Sequence, residues 1–104
     1  MIERVWSAKA TRDGAAAYAA YFQRVVLPEL AALAGYRGAR LLQREIEGTM
    51  EIVVVTDWES LDAIRGFAGD DVDQAVVHDE AAAMVTDYER TVRHFEIVLQ
   101  DRRP

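Results

Sequence analysis

Two histidines, His78 and His94, are the side chains of this 104-residue chain whose ordinary pKa lies near neutrality. His94 and Glu96 are two residues apart on a predicted strand, so both point to one face. That spacing suits half a metal site or a carboxylate-oriented base, and equally a plain cross-strand pair. His78 stands beside Asp79 and Glu80 near a predicted helix break, where it reads as a capping or solvated residue or as a pocket-facing base or ligand. Other reagents are scarce. Cysteine is absent, so no thiolate nucleophile or thiolate metal site exists. Serine occurs only at Ser7 and Ser60, and Ser60 is better used as a helix cap, which argues against a serine triad. Lys9 is the single lysine and the six glycines are dispersed, so no phosphate-cradling loop is expected. Asp70, Asp71 and Asp73 read as helix-start chemistry, because a calcium loop needs another ligand order and a closing glutamate. No metal site is expected.

Flat apolar side chains are better supplied. Trp58 closes a strand, and Ile64 and Phe67 follow on the stripe of the next helix. These three form either an ordinary core cluster or the wall of a pocket suited to a flat hydrophobic ligand. Tyr18, Tyr21 and Phe22 read as core first and pocket wall second. Arg40 lies on a predicted strand, where an arginine facing a cavity stabilises a phenolate.

The elements that must position these residues follow from periodicity. Ile2 to Ala10 reads as a strand, and Asp13 is the expected cap of a helix from Ala15 to Leu27 with an apolar stripe at Tyr18, Phe22, Val25 and Val26. Pro28 has no N–H for the carbonyl of Arg24, so that helix should end or kink there. Ala39 to Glu47 and Met50 to Trp58 read as strands joined at Gly48-Thr49. The second contains Ile52-Val53-Val54-Val55-Thr56, apolar on both faces and therefore expected to be covered on both. Ser60 should cap a helix from Leu61 to Ala68 that Gly69 ends. A further helix is expected from Asp71 through Val85, with a break near His78, and a last strand from Glu89 to Leu99.

The order β-α-β-β-α-β predicts an α+β, ferredoxin-like protomer: helices on one face of an antiparallel sheet, the other face open. The domain is expected over 1–99, with 100–104 as a polar tail. A core of this size has thin reserves and no disulfide, so the open face is expected to pack against a second copy, a homodimer closing a barrel. The net charge is −6, and the arginines are scattered among acids, which excludes a nucleic-acid partner. No apolar stretch reaches the roughly 18 residues of a membrane span, so no membrane partner is expected. The N-terminus lacks the layout of a signal peptide, and the cytoplasm is the expected location.

Two segments carry a family resemblance. Thr56-Asp57-Trp58-Glu59-Ser60-Leu61-Asp62-Ala63-Ile64-Arg65-Gly66-Phe67-Ala68-Gly69-Asp70-Asp71 resembles the corresponding stretch of antibiotic biosynthesis monooxygenase (ABM) domain proteins. Val92-Arg93-His94-Phe95-Glu96-Ile97-Val98 resembles that family's last strand, and the similarity spans about residues 1 to 99. The resemblance implies a dimeric α+β barrel. One branch of the family oxidises electron-rich phenolic polyketides with dioxygen and no cofactor; another binds and degrades haem with an Asn, Trp and His set. Trp58 matches the tryptophan position, His78 falls near the haem-ligand position, and Ser7 stands at the first-strand place of the asparagine. Asparagine is absent from the whole chain. The resemblance therefore implies a cofactor-independent monooxygenase of an aromatic or polyketide-like molecule, with two alternatives: a non-enzymatic binding module or a haem-binding protein. Trp58, His78 and Ser7 are the expected catalytic residues. Tyr36, Arg40, Ile64, Phe67 and His94 are the expected substrate-binding ones, and a small aromatic or hydrophobic ligand is the expected partner.

Overall fold

Alternating strand residues and two side-chain-capped helices build one antiparallel sheet with helices on a single face. The computed structural model describes residues 1–104. Its elements are β1 (Ile2–Ala10), α1 (Arg12–Tyr21), a π-helical turn (Phe22–Val26), α2 (Leu27–Ala31), β2 (Tyr36–Ile46), β3 (Thr49–Trp58), α3 (Leu61–Ala68), α4 (Asp79–Ala82), β4 (Asp87–Tyr88) and β5 (Arg93–Glu96). The sheet runs β2-β3-β1-β4, with β5 also paired to β1, and every pairing is antiparallel. This is the α+β arrangement that the sequence predicts. No helix is long and apolar enough to cross a membrane.

Local chemistry explains the boundaries. The Ser60 hydroxyl accepts from the Ala63 N–H at 3.2 Å, and α3 ends at Gly69 with φ 82°. Between β2 and β3, Glu47 and Gly48 both take positive φ, so the two-residue turn sits one position earlier than Gly48-Thr49. The first helix starts earlier than expected because Thr11, not Asp13, is its cap: the Thr11 hydroxyl accepts from the Gly14 N–H at 3.0 Å. Nor does Pro28 stop it. The π turn lets the Leu27 N–H reach back five residues to the Phe22 carbonyl, and Pro28 then enters α2 in its first turn, where a missing N–H costs little.

Two further expectations are corrected. The segment 71–85 is helical only over Asp79–Ala82. Residues 72–75 instead follow a non-helical path: Val72 and Asp73 lie in a turn closed by the Gln74 N–H on the Asp71 carbonyl, the carbonyls of Val72 and Gln74 accept from the Arg4 guanidinium, and Ala75 N–H bonds the Arg90 carbonyl. The last strand is split into β4 and β5, because 90–92 pair with 73–75 and leave β1 unpaired there. It also ends at Glu96, and Val98 and Leu99 are exposed.

The core lies between sheet and helices, with Trp58, Ile52, Leu30 and Ile64 fully buried. Arg4, Trp6 and Ala8 of β1 share that face with Ile52, Val54, Thr56 and Trp58 of β3. The opposite face carries Val5, Ser7, Val53, Val55, Leu42 and Phe95, with Arg40–Glu3 and Arg44–Glu51 ion pairs among them. No element of the chain covers it.

Gly35 sets how closely α3 approaches the sheet. Its φ is +84°, and a Cβ there would lie 2.5 Å from the Ala63 Cβ, whereas one at Gly48 (φ +83°) meets nothing. Gly48→Ala should cost about 1 kcal/mol and Gly35→Ala about 2 kcal/mol more, read from urea unfolding midpoints. Equal losses would show that α3 yields without penalty.

Candidate functional site

The helix face of the sheet is not filled to its edge. Between it, the α1–α2 hairpin and the non-helical segment 72–78 lies a cleft of about 630 Å³, its open mouth included. Trp6, Val54 and Thr56 form part of its floor, Tyr18, Phe22 and Phe67 its aromatic walls. Val76, Val77 and His78 line the side made by that segment, opposite Glu29. The lining is predominantly apolar and aromatic, the usual character of a small-molecule site.

One charge is set into this floor. Arg4 is only 4% exposed. Its Nη1 donates to the Val72 carbonyl at 2.5 Å and its Nη2 to the Gln74 carbonyl at 2.7 Å. Nη1 also meets His94 Nε2 at 3.0 Å, and the guanidinium lies 5.7 Å from the Phe67 ring centroid. Burial lowers the Arg4 pKa to about 10, against the opposing pull of Asp73, so the group stays cationic at neutral pH.

Because Arg4 can only donate, His94 Nε2 must be the unprotonated acceptor. Nδ1 then carries the hydrogen and faces Asp73 Oδ1 at 3.5 Å. The His94 side chain is 12% exposed. Burial first, and Arg4 second, push its pKa below the ordinary value, while Asp73 pulls it upward. His94 is thus a neutral brace behind Arg4, and Glu96, paired opposite Ile2, takes no part in it.

The other expected residues divide between two places. Trp58 is fully buried and does not line the cleft; its Nε1 donates to the Thr56 hydroxyl at 2.8 Å. With its acceptor role taken, that hydroxyl has its own hydrogen free at the cleft floor. Trp58 also stacks on Phe67 at 5.8 Å and meets Tyr36 edge-on at 5.6 Å. Tyr36 and Ile64 belong to this supporting layer, and burial raises the Tyr36 pKa. Phe67 lines the cleft itself. His78 stands at its rim, with Nε2 3.7 Å from Glu29 Oε2 and half its side chain in solvent. Ser7 and Arg40 lie on the far face of the sheet, paired in register with Val53 and Val55. They are not brought together with the cleft residues. No group of three or more His, Asp or Glu is arranged to hold a metal.

Arg4, Trp6 and Thr56 are the cleft residues that the sequence reading passed over. Their signal was the parity of β1, where Arg4, Trp6, Ala8 and Ala10 form one row. A charge in a row otherwise apolar marks either an exposed strand or a built site.

Set beside known proteins, residues 1–79 match the family Antibiotic biosynthesis monooxygenase. Nothing among curated protein sequences matches significantly. Among solved structures, a candidate antibiotic biosynthesis monooxygenase from Bordetella bronchiseptica is 22% identical, with TM-score 0.66 and coverage of 94% of this chain and 97% of that one. The haem-degrader MhuD from Mycobacterium tuberculosis, with two haems bound in its active site, is 23% identical, with TM-score 0.60 and coverage of 98% and 100%. SnoaB, a cofactor-independent oxygenase from Streptomyces nogalater, is 16% identical, with TM-score 0.56 and coverage of 99% and 97%. These likenesses establish a shared fold over the whole chain.

The neutral state of His94 gives the fold a pH dependence of known sign. Its folded pKa is depressed, so its contribution to stability is present above the unfolded value of 6.5 and is lost as pH falls from there toward the folded value. Unfolding free energy of the wild type should drop through that window more steeply than that of His94→Gln. Parallel pH profiles would remove His94 from the brace.

Proposed function

The chain belongs to the antibiotic biosynthesis monooxygenase family, and we propose that it oxidises an aromatic or polyketide-like small molecule with dioxygen in this cleft, without a cofactor. The observation that carries the reading is an aromatic-walled apolar cleft with a His–carboxylate pair at its rim. A flat substrate lies against Phe67 and Trp6. His78, with Glu29 beside it, takes the proton from an acidic position of the substrate, and the electron-rich anion reacts with oxygen. For a ring CH₂ group, one oxygen atom ends in the new carbonyl and the other leaves as water with the two hydrogens. The Thr56 hydroxyl donates to the developing oxyanion. Trp58 acts as a positioning residue, through Thr56 and Phe67.

A second reading has one observation in its favour: the half-exposed His78 imidazole at the cleft rim, which could hold haem iron through a ring nitrogen. Haem would supply redox iron chemistry, and Phe67 and Trp6 would contribute apolar contacts to holding it. Oxygen uptake separates the two readings. With a panel of anthrones and hydroquinones, uptake should exceed background and fall by about 100-fold in His78→Ala, and also fall in Trp58→Phe. A flat response across the panel, with a haemin Soret shift that His78→Ala abolishes, would replace the oxygenase by the haem reading.

The same reading includes a second copy of the chain and a cytoplasmic location. The uncovered sheet face offers Val5, Val53, Leu42 and Phe95, and the last two are left 44% and 48% exposed. Covering this face with its own copy buries those side chains and leaves the clefts on the outer layers. Equilibrium sedimentation should find a dimer at micromolar concentration, and Phe95→Glu should shift it to monomer. A stable wild-type monomer would overturn the assembly.

A further inference from the structure

Asp57 Oδ1 is buried without a hydrogen-bond partner, and among the cleft-lining side chains Arg4 is left electrically incomplete. Arg4 has no carboxylate within 4 Å, although the chain holds 18 acidic residues and pairs nine of its basic side chains with them elsewhere. Its three partners are two carbonyls and a neutral imidazole. Asp73, the acid that could have reached it, is turned to His94 instead. A guanidinium carries five N–H donors, and two of those on Arg4 have no acceptor in the protein. Asp73 acts on this cation only from a distance, and a buried cation without a carboxylate in direct contact is costly beside an apolar cleft wall. Glu29, the acidic side chain that lines the cleft, is at the rim and faces His78.

We propose that the ligand of this cleft is an anion: a flat aromatic molecule bearing an ionised acidic group, a carboxylate or an acidic enol, which completes the charge of Arg4 at the cleft floor. This rests on the reading of the cleft as the substrate site and narrows its substrate class. The guanidinium already lies 5.7 Å from the Phe67 ring centroid, so a ring stacked on the same wall brings an attached acid to the two free donors. His94 and the carbonyls of Val72 and Gln74 hold the guanidinium in place, so little side-chain freedom is lost on binding. Arg4 therefore selects acid over neutral ligand, on a protein whose overall charge of −6 disfavours anions elsewhere.

The probes are 1-hydroxy-2-naphthoate and its methyl ester, which differ by one charge on the same ring system. Calorimetric titration of the wild type should find the acid bound at least about tenfold more tightly than the ester, with the preference shrinking as salt is raised. Arg4→Lys should keep part of this preference, and Arg4→Met should bring acid and ester to parity. Should Arg4→Met fail to fold, the wild-type ratio and its salt dependence decide alone. A wild-type ratio near one, a preference that survives in Arg4→Met, or binding of neither probe would each overturn the proposal. Oxygen uptake reports separately: Arg4-dependent acid binding with no uptake on any substrate removes the oxygenase and keeps the anion site, and uptake with no acid preference does the reverse.

Discussion

The buried Arg4 guanidinium decides the shape of the apolar cleft between the sheet and the helices. A strand arginine of inward parity has to find acceptors or be expelled, since an unsatisfied buried charge costs several kcal/mol. Arg4 takes them from the backbone of Val72 and Gln74, more than sixty residues away in sequence. Those two carbonyls are thereby denied to a helix, and the segment makes a turn and stays irregular to His78. That path carries Val76, Val77 and His78 past the α1–α2 hairpin and makes the missing wall of the cleft. Pairing of 73–75 with 90–92 fixes that wall from outside and breaks the last strand in two. Fold and site thus share one electrostatic origin.

A second layer keeps the floor rigid. Trp58 touches no cleft space, yet it holds the Thr56 hydroxyl, the Phe67 ring and the Tyr36 ring by one hydrogen bond and two aromatic contacts. The Trp6 indole is held likewise by its bond to the Glu89 carbonyl at 2.8 Å and by contact with Tyr18. Thr56, Phe67 and Trp6 are thus each held by contacts behind the cleft, the condition for a preorganised floor. The π turn widens the first helix beside this floor and brings Phe22 to the wall without breaking at Pro28.

Much of what depended on neighbours along the chain was legible in the sequence, although the cap of α1 and the β2–β3 turn each lie a residue or two from where local chemistry pointed. Ser60 and Gly69 bound α3 as their chemistry requires, and the β-branched run of β3 is a central strand with apolar residues on both faces. The order of strands and helices through α3 was readable for the same reason, and Phe67 and His78 both line the cleft. What depended on distant partners was not. Helical spacing over 71–85 is real, but the bonds from Arg4 outweigh a propensity worth only tenths of a kcal/mol per residue. Pro28 looked like a stop because a wider turn leaves no mark in the sequence. Ser7 illustrates the sharpest limit: strand parity flips with every residue, so a first-strand position wrong by one moves a side chain to the other face of the sheet. Trp6, its neighbour, is the residue that faces the cleft.

That displacement bears on how a chain without asparagine can run an oxygen-dependent site. The carboxamide expected on the first strand would supply a directed hydrogen-bond donor, and the serine nearest that place points away from the cleft. Donors are nevertheless present at the floor, from other elements: the free hydrogens of Arg4 and the Thr56 hydroxyl released by Trp58. They differ from a carboxamide in kind, because one of them is a full positive charge in a low-dielectric wall. A neutral donor orients a carbonyl or oxygen; a buried cation also lowers the pKa of whatever acid lies against it. Deprotonation then needs less from the base at the rim, and a half-exposed histidine beside a carboxylate is sufficient for the task. Under the proposed reading, a buried arginine and a hydroxyl hold the substrate anion where the family resemblance implies a carboxamide.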